Sequence, residues 1–203
     1  MRRFLSCLLF VVPLLFSSAV SARLLTRNEE LVLNKISDAY NGIKSLEAGF
    51  AQIGPDGQIT EGRVYIKKPG LMRFEYAPPA PTLVVSDGLD IAVFNTRLHT
   101  VDRYPLSATP LNLLLAEHVS FSSSQAVTGV EQAPGQIIVD ARATDRRTTG
   151  NIQIVFTDPG YELRQWSVTD AQGLTTTVTL RNMQTGVAIP DSIFSLRGNK
   201  TQP

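Results

Sequence analysis

The chain has 203 residues, 43% of them hydrophobic, and a formal charge of +1 at neutral pH. So even a balance excludes the basic surface that a nucleic-acid partner requires. The one cysteine, Cys7, excludes a disulfide scaffold, so an ordinary apolar core must hold the fold.

Residues 1–22, MRRFLSCLLFVVPLLFSSAVSA, start basic at Arg2 and Arg3, continue apolar from Phe4 to Phe16 and end in a V-S-A cleavage pattern. That is the build of a secretory signal peptide, too short and wrongly flanked for a membrane span. Cleavage is expected after Ala22, with Ala19 as the alternative. Cys7 has only six residues before it, too few for the apolar region that precedes a lipid-attachment cysteine. Losing Arg2 and Arg3 takes the charge from +1 to −1, because residues 1–22 contain no acids. Residues 23–203 then form one exported domain, expected in the periplasm as a monomer.

Residues 28–44 carry apolar side chains at Val32, Ile36, Ala39 and Ile43, with Leu33 and Tyr40 beside them. This spacing predicts a helix, capped at Asn28 with Glu29 and Glu30 in its first turn. From Ser45 the period changes to two. Strands are expected at 45–52, 62–68, 72–76, 82–86, 89–95 and 98–103, with His99 in the last of these. Asp87-Gly88 is the strongest hairpin signal, with positive φ expected at both residues. Thr109 and Pro110 are read as cap and first residue of a short helix, LNLLLAEH, ending at His118. Further strands follow at 136–143, 151–157, 161–169 and 175–183. Ten or so successive antiparallel strands should curl into a barrel or sandwich, and two helices are too few for a layer of their own. They suit the open mouth of a curved sheet.

Lys68 is the anomaly. In YIKKPGLMRFEYAPP it falls in phase with Val64, Ile66, Met72, Phe74 and Tyr76, although a charge on an apolar face is costly. Arg73 and Glu75 fall on the opposite face, where solvated cross-strand pairing is expected. Trp166 is read as a packing anchor. No nucleophile elbow, phosphate loop or metal-ligand spacing is present, so no catalytic residue, metal or cofactor is expected. The residues describe a binder rather than a catalyst.

Phe50-x-Gln52, Gly62, Lys68-Pro69-Gly70, Arg73-Phe74-x-Tyr76, Pro79, Val85-Ser86-Asp87-Gly88, Thr109-Pro110-Leu111, Leu113 to Leu115, the run from Trp166 to Thr175 and Phe194 share an order and spacing. In these the sequence resembles the LolA-type outer-membrane lipoprotein carriers over nearly all of residues 30–196. The resemblance implies a mainly β fold with two helices, an open, incomplete antiparallel β-barrel closed by a helical lid. It implies an acyl-chain cavity lined by Phe50, Val64, Ile66, Met72, Phe74, Tyr76, Val85, Ile91, Val93 and Leu114. Its partners would be acylated lipoproteins, an inner-membrane ABC-type release complex and an outer-membrane receptor. The family usually has arginine where Lys68 stands, bonding to lid carbonyls. Lysine keeps the charge but not the forked donors, so a looser latch is expected, reaching the helix end near Gly42 or near Glu117. The competing readings are a periplasmic lipid- or lipoprotein-sensing regulatory module, a membrane-anchored acceptor of the same pathway, and an acyl hydrolase. The acceptor lacks its lipidated cysteine at Arg23, and the hydrolase lacks a nucleophile.

Overall fold

A computed structural model describes residues 25–142 and 150–196; the expected signal peptide and Cys7 lie outside them. Helix α1 runs Arg27–Gly42. Its cap is Thr26 rather than Asn28: the Thr26 hydroxyl accepts from Glu29 N, and Glu29 Oε2 accepts from Thr26 N at 2.7 Å. This reciprocal pair satisfies two donors that the first turn leaves over. The buried face is Leu33, Ile36, Ser37 and Tyr40, so it is rotated from the expected one, and Ala39 is exposed. Ser37 decides the rotation. Its hydroxyl donates to Leu33 O and accepts from Phe121 N, so a polar side chain is fully satisfied inside the core.

Eleven strands follow: β1 Ser45–Ile53, β2 Ile59–Lys67, β3 Leu71–Tyr76, β4 Thr82–Asp87, β5 Asp90–Asn95, β6 Thr100–Pro105, β7 Val127–Ala133, β8 Gln136–Arg142, β9 Asn151–Thr157, β10 Leu163–Thr169 and β11 Thr175–Thr185. Two short 3₁₀ turns, Leu106–Ala108 and Asp191–Phe194, and a one-turn helix α2, Asn112–Leu115, complete the set. Strand β7 and both 3₁₀ turns were not among the expected elements. The short helix is smaller than expected. Thr109 closes the first 3₁₀ turn instead of capping α2, and His118 lies beyond the helix end. His99 sits in the β5–β6 turn with φ 55°, and of the Asp87-Gly88 pair only Gly88 has positive φ.

All strands join one antiparallel sheet in the order β6-β5-β4-β3-β2-β1-β11-β10-β9-β8-β7. The edge strands β6 and β7 are consecutive in the chain. Their connection must therefore travel from one edge of the sheet to the other, and it carries α2. Its Leu106, Leu114, Leu115, Val119 and Phe121 join α1 in a core against one face of the sheet, the inner face. The tie between α1 and this crossing segment is polar as well as apolar. Asn41 Nδ2 donates to Val119 O at 2.8 Å while its Oδ1 accepts from Val119 N at 2.9 Å.

A second, smaller core lies on the outer face, where residues 187–196 cross over β2–β5. Ile189, Phe194 and Leu196 pack there with Val85, Ala92 and Phe94. Arg73 belongs to this layer: its Nη1 donates to Ile193 O at 2.9 Å, its Nε pairs with Glu75 along the same strand, and its side chain is only 15% exposed. The expected solvated cross-strand pair is therefore a same-strand one, with Arg73 covered and Glu75 still open to solvent.

Gly62 is the most tightly enclosed of the described glycines. A Cβ there would stand 2.0 Å from Glu75 O and 2.7 Å from the Phe50 ring. Gly62→Ala must part β2 from β3 or expel Phe50, and about 3 kcal/mol of stability should be lost, the upper end for forced insertion. Urea unfolding would read this as a lower midpoint at unchanged slope. An unchanged midpoint would show that β2 and β3 can separate there freely.

Candidate functional site

The inner face is made by alternation. Along the register, Met72 faces Ile66 and Ser86, and Phe74 faces Val64 and Val84, so every second residue of β2–β4 points the same way. Most of this face is filled. Phe50, Val64, Ile66, Ile91 and Leu114 are buried with α1 and α2. Toward the end of β1 and β3 farther from α1's C-terminus the filling stops, and a cavity of about 260 Å³ remains. Met72, Phe74, Val84, Trp166, Val168 and Val178 supply its apolar wall, and Leu111 of the crossing segment closes over it. The aromatic rings pack edge to face: Phe50–Phe74 at 4.8 Å, Phe50–Tyr76 at 5.1 Å and Phe74–Trp166 at 6.1 Å. Tyr76 donates to Gln52 Oε1 at 2.8 Å, and burial pushes its phenol up to about 12, partly offset by that bond.

At the other end of β2, the Lys68-Pro69-Gly70 corner holds both covering elements. Lys68 Nζ donates to Tyr40 O, in the last turn of α1, at 2.9 Å and lies 4.2 Å from the Tyr40 ring centroid. Gly70 N donates to Leu115 O at the end of α2. Tyr40 links the two by donating to Leu114 O at 2.7 Å; burial keeps its phenol well above the usual value, so it stays a donor. The carbonyl that meets Lys68 is thus the one at the end of α1, while the end of α2 is held by backbone. Lys68 is 9% exposed. Burial, and then the charge of Lys44, lower its ammonium to about 8.

Comparison with protein families matches residues 41–197 to the outer membrane lipoprotein carrier protein LolA. The chain belongs to the LolA family. Among curated relatives, an outer-membrane lipoprotein carrier protein of Pseudomonas putida is 25% identical over 92% of both chains. One from Haemophilus influenzae is 27% identical over 76% of this chain and 77% of its own. A solved domain from Vibrio parahaemolyticus, whose description refers to outer membrane lipoprotein sorting, superposes with a TM-score of 0.51 at 10% identity, covering 85% of this chain and 98% of that one. It speaks for the fold alone.

Several of the motif residues scattered along the sequence meet in space. Phe50, Phe74, Tyr76 and Trp166 pack ring to ring, Gln52 joins them through its bond to Tyr76 two strands away, and Gly62 pairs with both Phe50 and Tyr76. Gly70 packs on Gly88, 2.6 Å from its missing Cβ to Gly88 Cα, so the Pro-Gly corner and the Asp-Gly turn also touch. Of the expected cavity residues, Met72, Phe74 and Tyr76 line the cavity. Val93 shares the inner face by register with Val84 but stands half-buried near edge strand β6, away from it. Val85 is a correction: it pairs with Arg73 and lies fully buried in the outer core. Sequence reasoning left out Val84, Leu111, Val168 and Val178 as lining residues. For Val84 the signal was present in its pairing with Phe74, once the strand register is known. Among the described residues no cluster of potential metal ligands occurs, and no helix is long and apolar enough to cross a membrane.

Proposed function

We propose that this protein is a periplasmic carrier that takes acylated lipoproteins from an inner-membrane ABC-type release complex and passes them to an outer-membrane receptor. The observation that carries the reading is a partly filled apolar cavity beneath elements tied down at a single corner, in a chain of the LolA family. Free acyl chains lose roughly 0.8 kcal/mol per methylene on entering water, so a lipoprotein with several chains cannot cross an aqueous space bare. At about 30 Å³ per small group, 260 Å³ admits about nine methylenes, a fraction of one anchor. Full loading therefore requires α1 and the crossing segment to withdraw from the inner face and vacate the space their own side chains fill. In this role they act as a lid, and Lys68 as part of its fastening.

The test is uptake of an environment-sensitive apolar dye by the purified protein. Saturable binding, displaced by a triacylated lipopeptide, is expected. A folded protein that takes up no dye would show that the inner face is a permanent core and defeat the carrier reading.

A further inference from the structure

Polar side chains line the cavity as well as apolar ones: Gln52, Tyr76, Thr109, Asp170 and Thr176. Thr109 donates to Leu106 O and Asp170 accepts from Gln172 N and Leu174 N, whereas Gln52 keeps donors over. Gln52, half-buried near the end of β1, lines it among Met72, Phe74, Trp166, Val168 and Val178. Its Oε1 is taken by the Tyr76 hydroxyl, which burial keeps protonated and donating. With the oxygen on Tyr76, the nitrogen is the amide atom left over. No described residue accepts from Nε2, and no buried side-chain nitrogen among them is left unpaired, so its two N–H donors are open to solvent. Tyr76 reaches Gln52 across β2, where Gly62 pairs with both Phe50 and Tyr76 and adds no side chain.

Hydrocarbon alone laid over those donors would strip them of water and give them no partner, at a cost. The amide's value appears when the ligand brings an acceptor. Acyl chains bring one: the ester or amide carbonyl that joins the chain to its glyceryl or amino group. It accepts hydrogen bonds and donates none, which complements Nε2. We propose that Gln52, oriented by Tyr76, is a hydrogen-bonding subsite for the acyl carbonyl, so that the cavity selects acyl groups over plain hydrocarbon and fixes how deep the chain enters. This rests on the cavity being an acyl site, as proposed above.

The experiment compares methyl octanoate with undecane, a chain of equal heavy-atom count, as competitors of the bound apolar dye. In wild type both should displace it. Gln52→Leu should weaken methyl octanoate roughly three- to tenfold, the value of one neutral hydrogen bond, and leave undecane unchanged or tighter. Gln52→Glu, which still accepts from Tyr76 but has no donor, should weaken the ester at least as much. Tyr76→Phe should give a smaller loss, because the amide is then free to turn. In wild type the side-chain amide resonances of Gln52 should move with the ester and not with the alkane. Equal effects of Gln52→Leu on both ligands, or none on either, would overturn the subsite while leaving the acyl cavity standing. If neither ligand displaces the dye from wild type, the acyl cavity itself is wrong and the subsite falls with it.

Discussion

Met72→Glu should destabilise the protein by about 3–5 kcal/mol at pH 7, the range for an uncompensated buried charge. Met72 is 2% exposed and belongs to the inner core as well as to the cavity wall, and no Lys or Arg is among the residues lining that cavity. Desolvation raises a carboxyl's pKa above its unfolded value near 4.3. The folded state then binds more protons than the unfolded chain above that value, so stability falls as pH rises and recovers as pH drops toward 5. Urea unfolding at the two pH values would show a gap that wild type lacks, and the folded fraction should take up less apolar dye. A variant as stable as wild type at pH 7 would mean that water already fills the space beside Met72, and that this wall is not apolar in solution.

The second large effect concerns Lys68 and has an unexpected sign. Its ammonium makes a good hydrogen bond to Tyr40 O and faces the Tyr40 ring, yet its pKa is lowered to about 8. Burial outweighs both contacts, and the nearby charge of Lys44 adds to it, while Lys67 beside it is neutralised by Asp191 at 2.5 Å. Below pH 8 the charge is present in folded and unfolded states, and the folded state carries the whole penalty. As pH climbs from about 8 toward 10, the folded protein releases the proton and the unfolded chain, near 10.5, keeps it. Stability should therefore rise in this window, by up to about 2 kcal/mol. Above pH 10 the trend reverses, because Tyr40 and Tyr76 stay protonated in the fold while unfolded tyrosines ionise. Lys68→Met should remove the rise, add roughly 1–2 kcal/mol at neutral pH and slow dye entry. Lysine here is thus a fastening that opens easily, and the backbone bond from Gly70 to Leu115 and the Tyr40–Leu114 bond hold the rest. Wild-type stability flat between pH 8 and 10, or faster dye entry in Lys68→Met, would refute this balance.

The inner stripe of β2 and β3 was legible because its alternation is clean on both sides of an unmistakable Pro-Gly corner. The face of β4 was not. Residues 83–85 read Leu-Val-Val, so period two fits either phase, and only the pairing of Val85 with Arg73 settles it. The tilt of α1 was hidden for a similar reason: the residue that turns it inward, Ser37, is polar, and its partner Phe121 N lies on a distant segment. Strand β7, VTGVEQA, carries too few apolar residues to announce itself. The outer strap at residues 187–196 is invisible locally, since its role exists only once β2–β5 offer Val85, Ala92 and Phe94 to cover. As for the site, the motifs named residues that meet, but not that Tyr76 bonds Gln52 two strands away.

Strand order also has a kinetic consequence. Nine of the ten strand pairs join neighbours along the chain and can zip as hairpins. The tenth, β1 with β11, pairs Phe50 with Leu180 and divides the sheet in half. Loop closure over that separation is entropically slow, so this seam should set the refolding rate. Until it closes, Ser45–Ile53 and Thr175–Thr185 are both bare edges with apolar inner faces, open to pairing with the wrong chain. The interval before the seam forms, and not the finished sheet, is when this protein is most exposed to aggregation.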